Sequence, residues 1–257
     1  MTRIIGVASG KGGVGKTTFA TNLAIALTRF SKKVVLVDCN VTTPHLSYYL
    51  GADVYSHTIN DVLKKKVDIS LALSNYHDVM FLPASTNIAD LANLDIRELK
   101  NHMKKLETPM IDFVLLDSAP GLGREAVSVL EACDEVFFIS TPTIPNLMDV
   151  KRCTEVVREL NNKKLNLVLN MVNGSKYEFP QKEVEKMIKM PILGRIPFDK
   201  NVADSVALGE PVTIKKPDSP ASVEYMKLAA DIVGKPYVPK KSVVKHIFGR
   251  IRKILKK

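Results

Sequence analysis

A glycine-rich turn between a buried strand and a helix constrains this chain more than any other feature. Residues Gly10-Lys11-Gly12-Gly13-Val14-Gly15-Lys16-Thr17-Thr18 fit the pattern Gly-x-x-x-x-Gly-Lys-Thr. The apolar run Ile4-Ile5-Gly6-Val7-Ala8 before them reads as a core strand. Phe19 to Arg29 after them reads as a helix with Leu23, Ala26 and Leu27 on one face. Glycines in the turn let successive backbone N–H groups face inward, toward phosphate oxygens. The helix that begins near Lys16 adds its positive N-terminal end. Lys16 is placed to contact β- and γ-phosphates, and the Thr17 hydroxyl to hold Mg²⁺. The turn therefore predicts a nucleoside triphosphate site.

The rest of the chain alternates between strands and helices. Lys33–Asp38, Asp78–Pro83, Ile111–Asp117, Val136–Ser140, Leu165–Asn170 and Ile192–Pro197 read as strands of mostly apolar residues. Helices are expected over 58–66, where Thr58 and Asp61 form a capping box, and over 146–161, 202–208 and 221–233. A helix-rich stretch is expected up to about Leu106. That alternation predicts an α/β fold: a doubly wound, mostly parallel sheet with helices on both faces, occupying residues 1–234. In such sheets ligands bind at the carboxyl ends of the strands. Asp38, Asp117, Asn170 and Pro197 all end strands, so they share an edge with the glycine-rich turn.

Asp117 closes a buried strand and precedes Ser118-Ala119-Pro120-Gly121. An acid there can hold Mg²⁺ through water, and a neighbouring glycine N–H can sense a γ-phosphate. Asp38 is a second candidate, to orient the attacking water or support the metal shell. Three cysteines, Cys39, Cys133 and Cys153, show no Cys-x-x-Cys spacing, which argues against an iron–sulfur site and for reduced thiols in the cytosol. The first core strand begins near Arg3, which leaves no room for a signal peptide, and no apolar run reaches the roughly 18 residues of a membrane span.

These motifs together resemble the MinD/ParA family of P-loop ATPases. Lys11-Gly12-Gly13-Val14-Gly15-Lys16-Thr17-Thr18 is similar to its deviant Walker A motif, Asp112 to Gly121 to its Walker B and switch II. Ile196-Pro197-Phe198-Asp199 with Gly209-Glu210-Pro211-Val212 is similar to its C-terminal signature. The resemblance implies an ATP- and Mg²⁺-binding enzyme that forms a homodimer with nucleotide at the interface. Gly10 through Thr18 would cradle ATP, and Lys11 would reach the partner's phosphates. Asp149 matches a position that holds this lysine in the absence of ATP. Asn170 and Pro197 match positions that frame adenine, and Asp199 is counted with them as a nucleotide contact. Lys11, Lys16, Asp38 and position 40 would carry catalysis. The family has a second switch I acid where this chain has Asn40. An amide orients water but accepts no proton, so hydrolysis is expected to be slow.

The formal net charge of +10 is concentrated at one end: nine Lys/Arg and no Asp/Glu fall within 235–257, leaving 1–234 close to neutral. Pro236 and Pro239 make 235–239 a linker. Within 240–257, Val243, Val244, Ile247, Phe248, Ile251, Ile254 and Leu255 share an arc of roughly 140° on a helix, with Lys, Arg and His around the remainder. Gly249 costs about 1 kcal/mol of helix propensity, so this helix is expected to form on a surface. Both faces suit an anionic membrane, and the resemblance to the MinD branch implies the same. The expected protein is cytoplasmic, peripherally bound to the inner face of the membrane, and positions machinery for division, motility or chemosensing with an unidentified partner or activator. A core-packed terminal helix and a nucleic-acid tail are the competing readings of the segment. A DNA-partitioning ATPase and a nucleotide-binding scaffold are the competing functions; the near-neutral body speaks against nucleic acid.

Overall fold

The computed structural model describes residues 1–239 apart from 53 and 161–162. The expected amphipathic segment 240–257 lies outside the described residues. The eight strands are β1 (Arg3–Ala8), β2 (Val34–Asp38), β3 (Ser74–Tyr76), β4 (Val79–Leu82), β5 (Phe113–Asp117), β6 (Glu135–Ser140), β7 (Lys164–Val172) and β8 (Ile192–Pro197). They form one sheet in the order β3-β4-β2-β5-β1-β6-β7-β8. Every pairing is parallel except β3 with β4. β2, β5 and β6 are buried along their whole length, and β1 after Arg3. This matches their continuous apolar runs, because helices cover both faces.

One face carries α1 (Lys16–Thr28), α2 (Leu46–Leu50), α10 (Val212–Lys215) and α11 (Pro220–Val233), packed on Ile5, Val7, Val34, Leu36 and Leu115. The other carries α3 (Ile59–Leu63), α4 (Ile69–Ala72), α5 (Leu99–Lys104), α6 (Arg124–Ala132), α7 (Ile144–Leu160) and α8 (Gln181–Ile188), packed on Ile4, Val35, Val37, Val114 and Leu116. A further helix, α9 (Lys200–Ala207), follows β8. Odd and even residues of β1 thus face opposite cores, as the two-residue period requires.

Three sequence expectations change. α1 has no single apolar face, because Phe19 to Leu27 are all buried between the sheet and α11. The helix-rich stretch before Leu106 is mostly irregular, with short 3₁₀ turns at Ile88–Leu91 and Ile96–Glu98 before α5. The side chains of Asn87 and Asp95 cap those two turns. A short antiparallel edge strand, β3, also appears where no strand was expected. The capping box at Thr58 is present as expected, with Thr58 and Asp61 exchanging side-chain and backbone hydrogen bonds.

Candidate nucleotide site

The strand β1 delivers the chain to Ser9 at the carboxyl edge of the sheet, and α1 carries it away from Lys16. Between them Gly13 and Gly15 take φ of 78° and 90°, a left-handed backbone that glycine adopts without strain. Gly10 answers a different need: a Cβ there would meet the backbone and Cβ of Asp149 at 2.5 Å, so α7 could not pack so closely. Among the described residues, no backbone N–H from Gly10 to Thr18 donates to a protein acceptor, since the first internal bond of α1 is Phe19 N–H to Gly15 O. A row of unpartnered N–H groups at a helix start is an anion cradle.

Lys16 is buried beside that cradle, and burial lowers its pKa while Asp117 opposes the shift. The Thr17 hydroxyl donates to Asp117 Oδ2 at 2.6 Å, and the buried Oδ1 of Asp117 has no partner. Asp38 pairs in register with Asp117 on the neighbouring strand. Its carboxylate accepts from the backbone N–H groups of Asn40, His45 and Leu46. Burial raises the pKa of both acids; Asp117 raises Asp38 further, whereas Thr17 and Lys16 hold Asp117 down. Two buried carboxylates, one oxygen unpartnered beside a threonine hydroxyl, form a donor set of hard oxygens that fits Mg²⁺. Thr17 and Asp117 are the residues whose oxygens are suited to hold such a metal.

Beside the cradle lies a cavity of about 380 Å³ lined by Thr18, Asn170, Met171, Pro197, Phe198, Asp199 and Tyr225 among others. Its apolar walls suit a flat base, and Asn170, Pro197 and Asp199 all line it. Met171, Phe198 and Tyr225 were not anticipated, because apolar and aromatic residues at these positions read as core. The Asp199 carboxylate is committed elsewhere: it caps α9 through Asn201 N–H and accepts Ala221 N–H at the start of α11. Its side chain also lines the wall of the cavity.

Four further expectations meet specific geometry. Asn40 uses its amide within its own loop, donating Nδ2 to Thr43 O at 2.6 Å and accepting from the Thr43 hydroxyl at 3.0 Å. Asn170 donates Nδ2 to Val14 O at 2.8 Å. Lys11 is exposed, and no ion pair joins it to Asp149, although α7 packs on Gly10. The expected γ-phosphate sensor Gly121 donates its N–H to Ser9 O at 2.9 Å instead. The loop after β2 is also tied to α6 by Thr42, whose N–H and hydroxyl both donate to Glu125 Oε1.

Residues 1–233 match the ParA family model, described as NUBPL iron-transfer P-loop NTPase. An uncharacterised ATP-binding protein of Methanocaldococcus jannaschii is 30% identical over 92% of this chain and 90% of its own. The septum site-determining protein MinD of Pyrococcus horikoshii, solved with Mg-ADP, superposes with a TM-score of 0.86 at 31% identity. That likeness covers 90% of this chain and 96% of that one. An iron–sulfur cluster carrier protein of Saccharolobus solfataricus is 28% identical over 89% of this chain and 82% of its own.

Proposed function

The chain belongs to the MinD/ParA family of P-loop ATPases, and from that premise we propose a MinD-type, ATP-driven homodimer switch. The observation that carries this reading is the row of unpartnered N–H groups from Gly10 to Thr18 with the free cation Lys11 at its start. Lys16 would neutralise charge on the β- and γ-phosphates, and Lys11 would clamp the phosphates of a second copy. Mg²⁺ held by Thr17, and through water by Asp117, would supply charge neutralisation at the transferred group. Asp38 is held rigid by three backbone donors, a suitable orienter for the attacking water. Asn40, with its amide engaged by Thr43, supports slow turnover.

The segment 240–257 would attach the dimer to anionic membrane, and the protein would position cellular machinery through a partner or activator yet to be identified. The iron-transfer relatives suggest a cluster carrier as an alternative. Against it, Cys39, Cys133 and Cys153 are all buried, and burial raises each thiol above its ordinary range. No group of three or more potential metal-binding side chains occurs among the described residues.

Liposome co-sedimentation with ATP and with ADP, for the full chain and for a chain lacking 240–257, tests the switch. Binding that requires both ATP and the tail is expected. Equal binding with either nucleotide, or without the tail, would overturn the proposal. For the slow-turnover component, Asn40→Asp is expected to raise ATP hydrolysis several-fold; fast hydrolysis unchanged by it would overturn that component.

A further inference from the structure

We infer that Asn170 is a positioning residue for the phosphate cradle, so that β7 couples the base cavity to the phosphates. The inference rests on the reading that this site binds ATP.

The end of β7 is irregular. Its register with β8 shifts between Leu169 and Val172, and Met171 takes φ of 55°, a left-handed conformation uncommon outside glycine. Such irregularities re-aim side chains beside functional sites. Here the result is that Asn170 points its amide at the glycine-rich turn, while its neighbour Met171 lines the base cavity.

The contact with the turn is close on two counts. Asn170 Nδ2 donates to Val14 O at 2.8 Å, and a Cβ on Gly15 would lie 2.4 Å from the same nitrogen. The Val14–Gly15 peptide is planar and trans, so its C=O and N–H point in opposite directions. Fixing the carbonyl toward Asn170 fixes the Gly15 N–H away from it, as one of the unpartnered donors of the cradle. Without Asn170 the peptide can rotate and present a carbonyl oxygen to the phosphates, which repels them. Gly15, with φ of 90°, imposes little conformational resistance to that rotation.

The cavity residues Met171 and Asn170 belong to the same strand end as this hydrogen bond. A base seated in the cavity therefore bears on the element that holds the turn. This gives the adenine end a route to the phosphate end through one amide. A residue that only touches the base would have no such effect.

Tripolyphosphate, which has phosphates and no base, separates the two roles. Calorimetric binding of Mg-ATP and of Mg-tripolyphosphate should be measured for the full chain, for Asn170→Ala and for Phe198→Ala. Asn170→Ala is expected to weaken tripolyphosphate about ten-fold, consistent with one lost hydrogen bond. Phe198→Ala is expected to weaken ATP more than tripolyphosphate. If Asn170→Ala does not fold, the isosteric Asn170→Asp removes the donor. The Gly15 amide resonance is then followed instead, and is expected to shift with tripolyphosphate in the full chain and not in the variant. Loss confined to ATP, with tripolyphosphate binding and the Gly15 shift retained, would overturn the inference. Failure of the unsubstituted chain to bind either ligand would instead overturn the ATP reading on which it rests.

Discussion

At Gly15 two independent demands fall on a single residue: a left-handed φ and a Cβ position already filled by Asn170. Gly15→Ala is therefore expected to lower thermal stability by several degrees and to weaken ATP at least ten-fold. Thermal unfolding and calorimetry check this. His102 poses a different residue-scale problem. It is buried, both ring nitrogens lack partners, and burial together with Lys105 lowers its pKa, opposed by Glu98 and Asp68. A lowered folded pKa means that the unfolded chain takes up the proton first. Stability from a neutral His102 is thus complete above the ordinary imidazole value of 6.5 and is lost as pH falls from there through the lower folded pKa. His102→Leu is expected to narrow the gap in urea midpoint between pH 7.5 and pH 5.5; an unchanged gap would show that His102 does not contribute. The candidate nucleotide-site residues were legible in the sequence because the chemistry proposed for them is confined to glycine, lysine, threonine and strand-end aspartate. Tyr225 and Met171 were not, because a cavity wall and a core share one composition. The bond from Gly121 N–H to Ser9 O was not legible either, because its two partners lie in different elements.

Among elements, the most consequential unanticipated contact joins the loop after β2 to α6. Both donors of Thr42 converge on Glu125, tying the loop that carries Asn40 to the helix that follows Asp117. Glu125→Ala is expected to speed amide hydrogen exchange over residues 40–45 while leaving α11 unchanged. Asp199 similarly serves two elements, capping α9 and receiving the start of α11. Asp199→Ala is expected to cost about 1–2 kcal/mol, the usual loss for an N-cap, read from denaturant midpoints. Its effect on ATP affinity should be smaller than that of Phe198→Ala. The core parallel strands were readable because burial on both faces demands unbroken apolar runs. The strand β3, with the sequence Ser-Asn-Tyr, has no such run and is defined only by pairing with β4. The helix α8 buries only Val184 and Ile188, too little pattern to distinguish it from a charged loop.

For the molecule as a whole, the candidate nucleotide site and the last described residues lie at opposite edges of the sheet. Asp38 and Asp117 end their strands at the nucleotide edge. At the other edge Arg3 begins β1 and donates to Ile232 O, and Tyr237 packs its ring on Phe30 just beyond α1. A six-residue strand separates the two edges by about 20 Å. The described chain ends at Pro239 on the edge away from the candidate nucleotide site. Under the proposed switch, ATP would control membrane attachment through copy number: two tails on one dimer would gain effective concentration, whereas one tail would bind reversibly. Fusing a dimeric coiled coil to the N-terminus is therefore expected to restore liposome binding with ADP to near the ATP level. The same fusion lacking 240–257 should not bind. Binding by the fusion that still requires ATP would show that nucleotide acts on the tail by some route other than dimerisation, and would refute the avidity account.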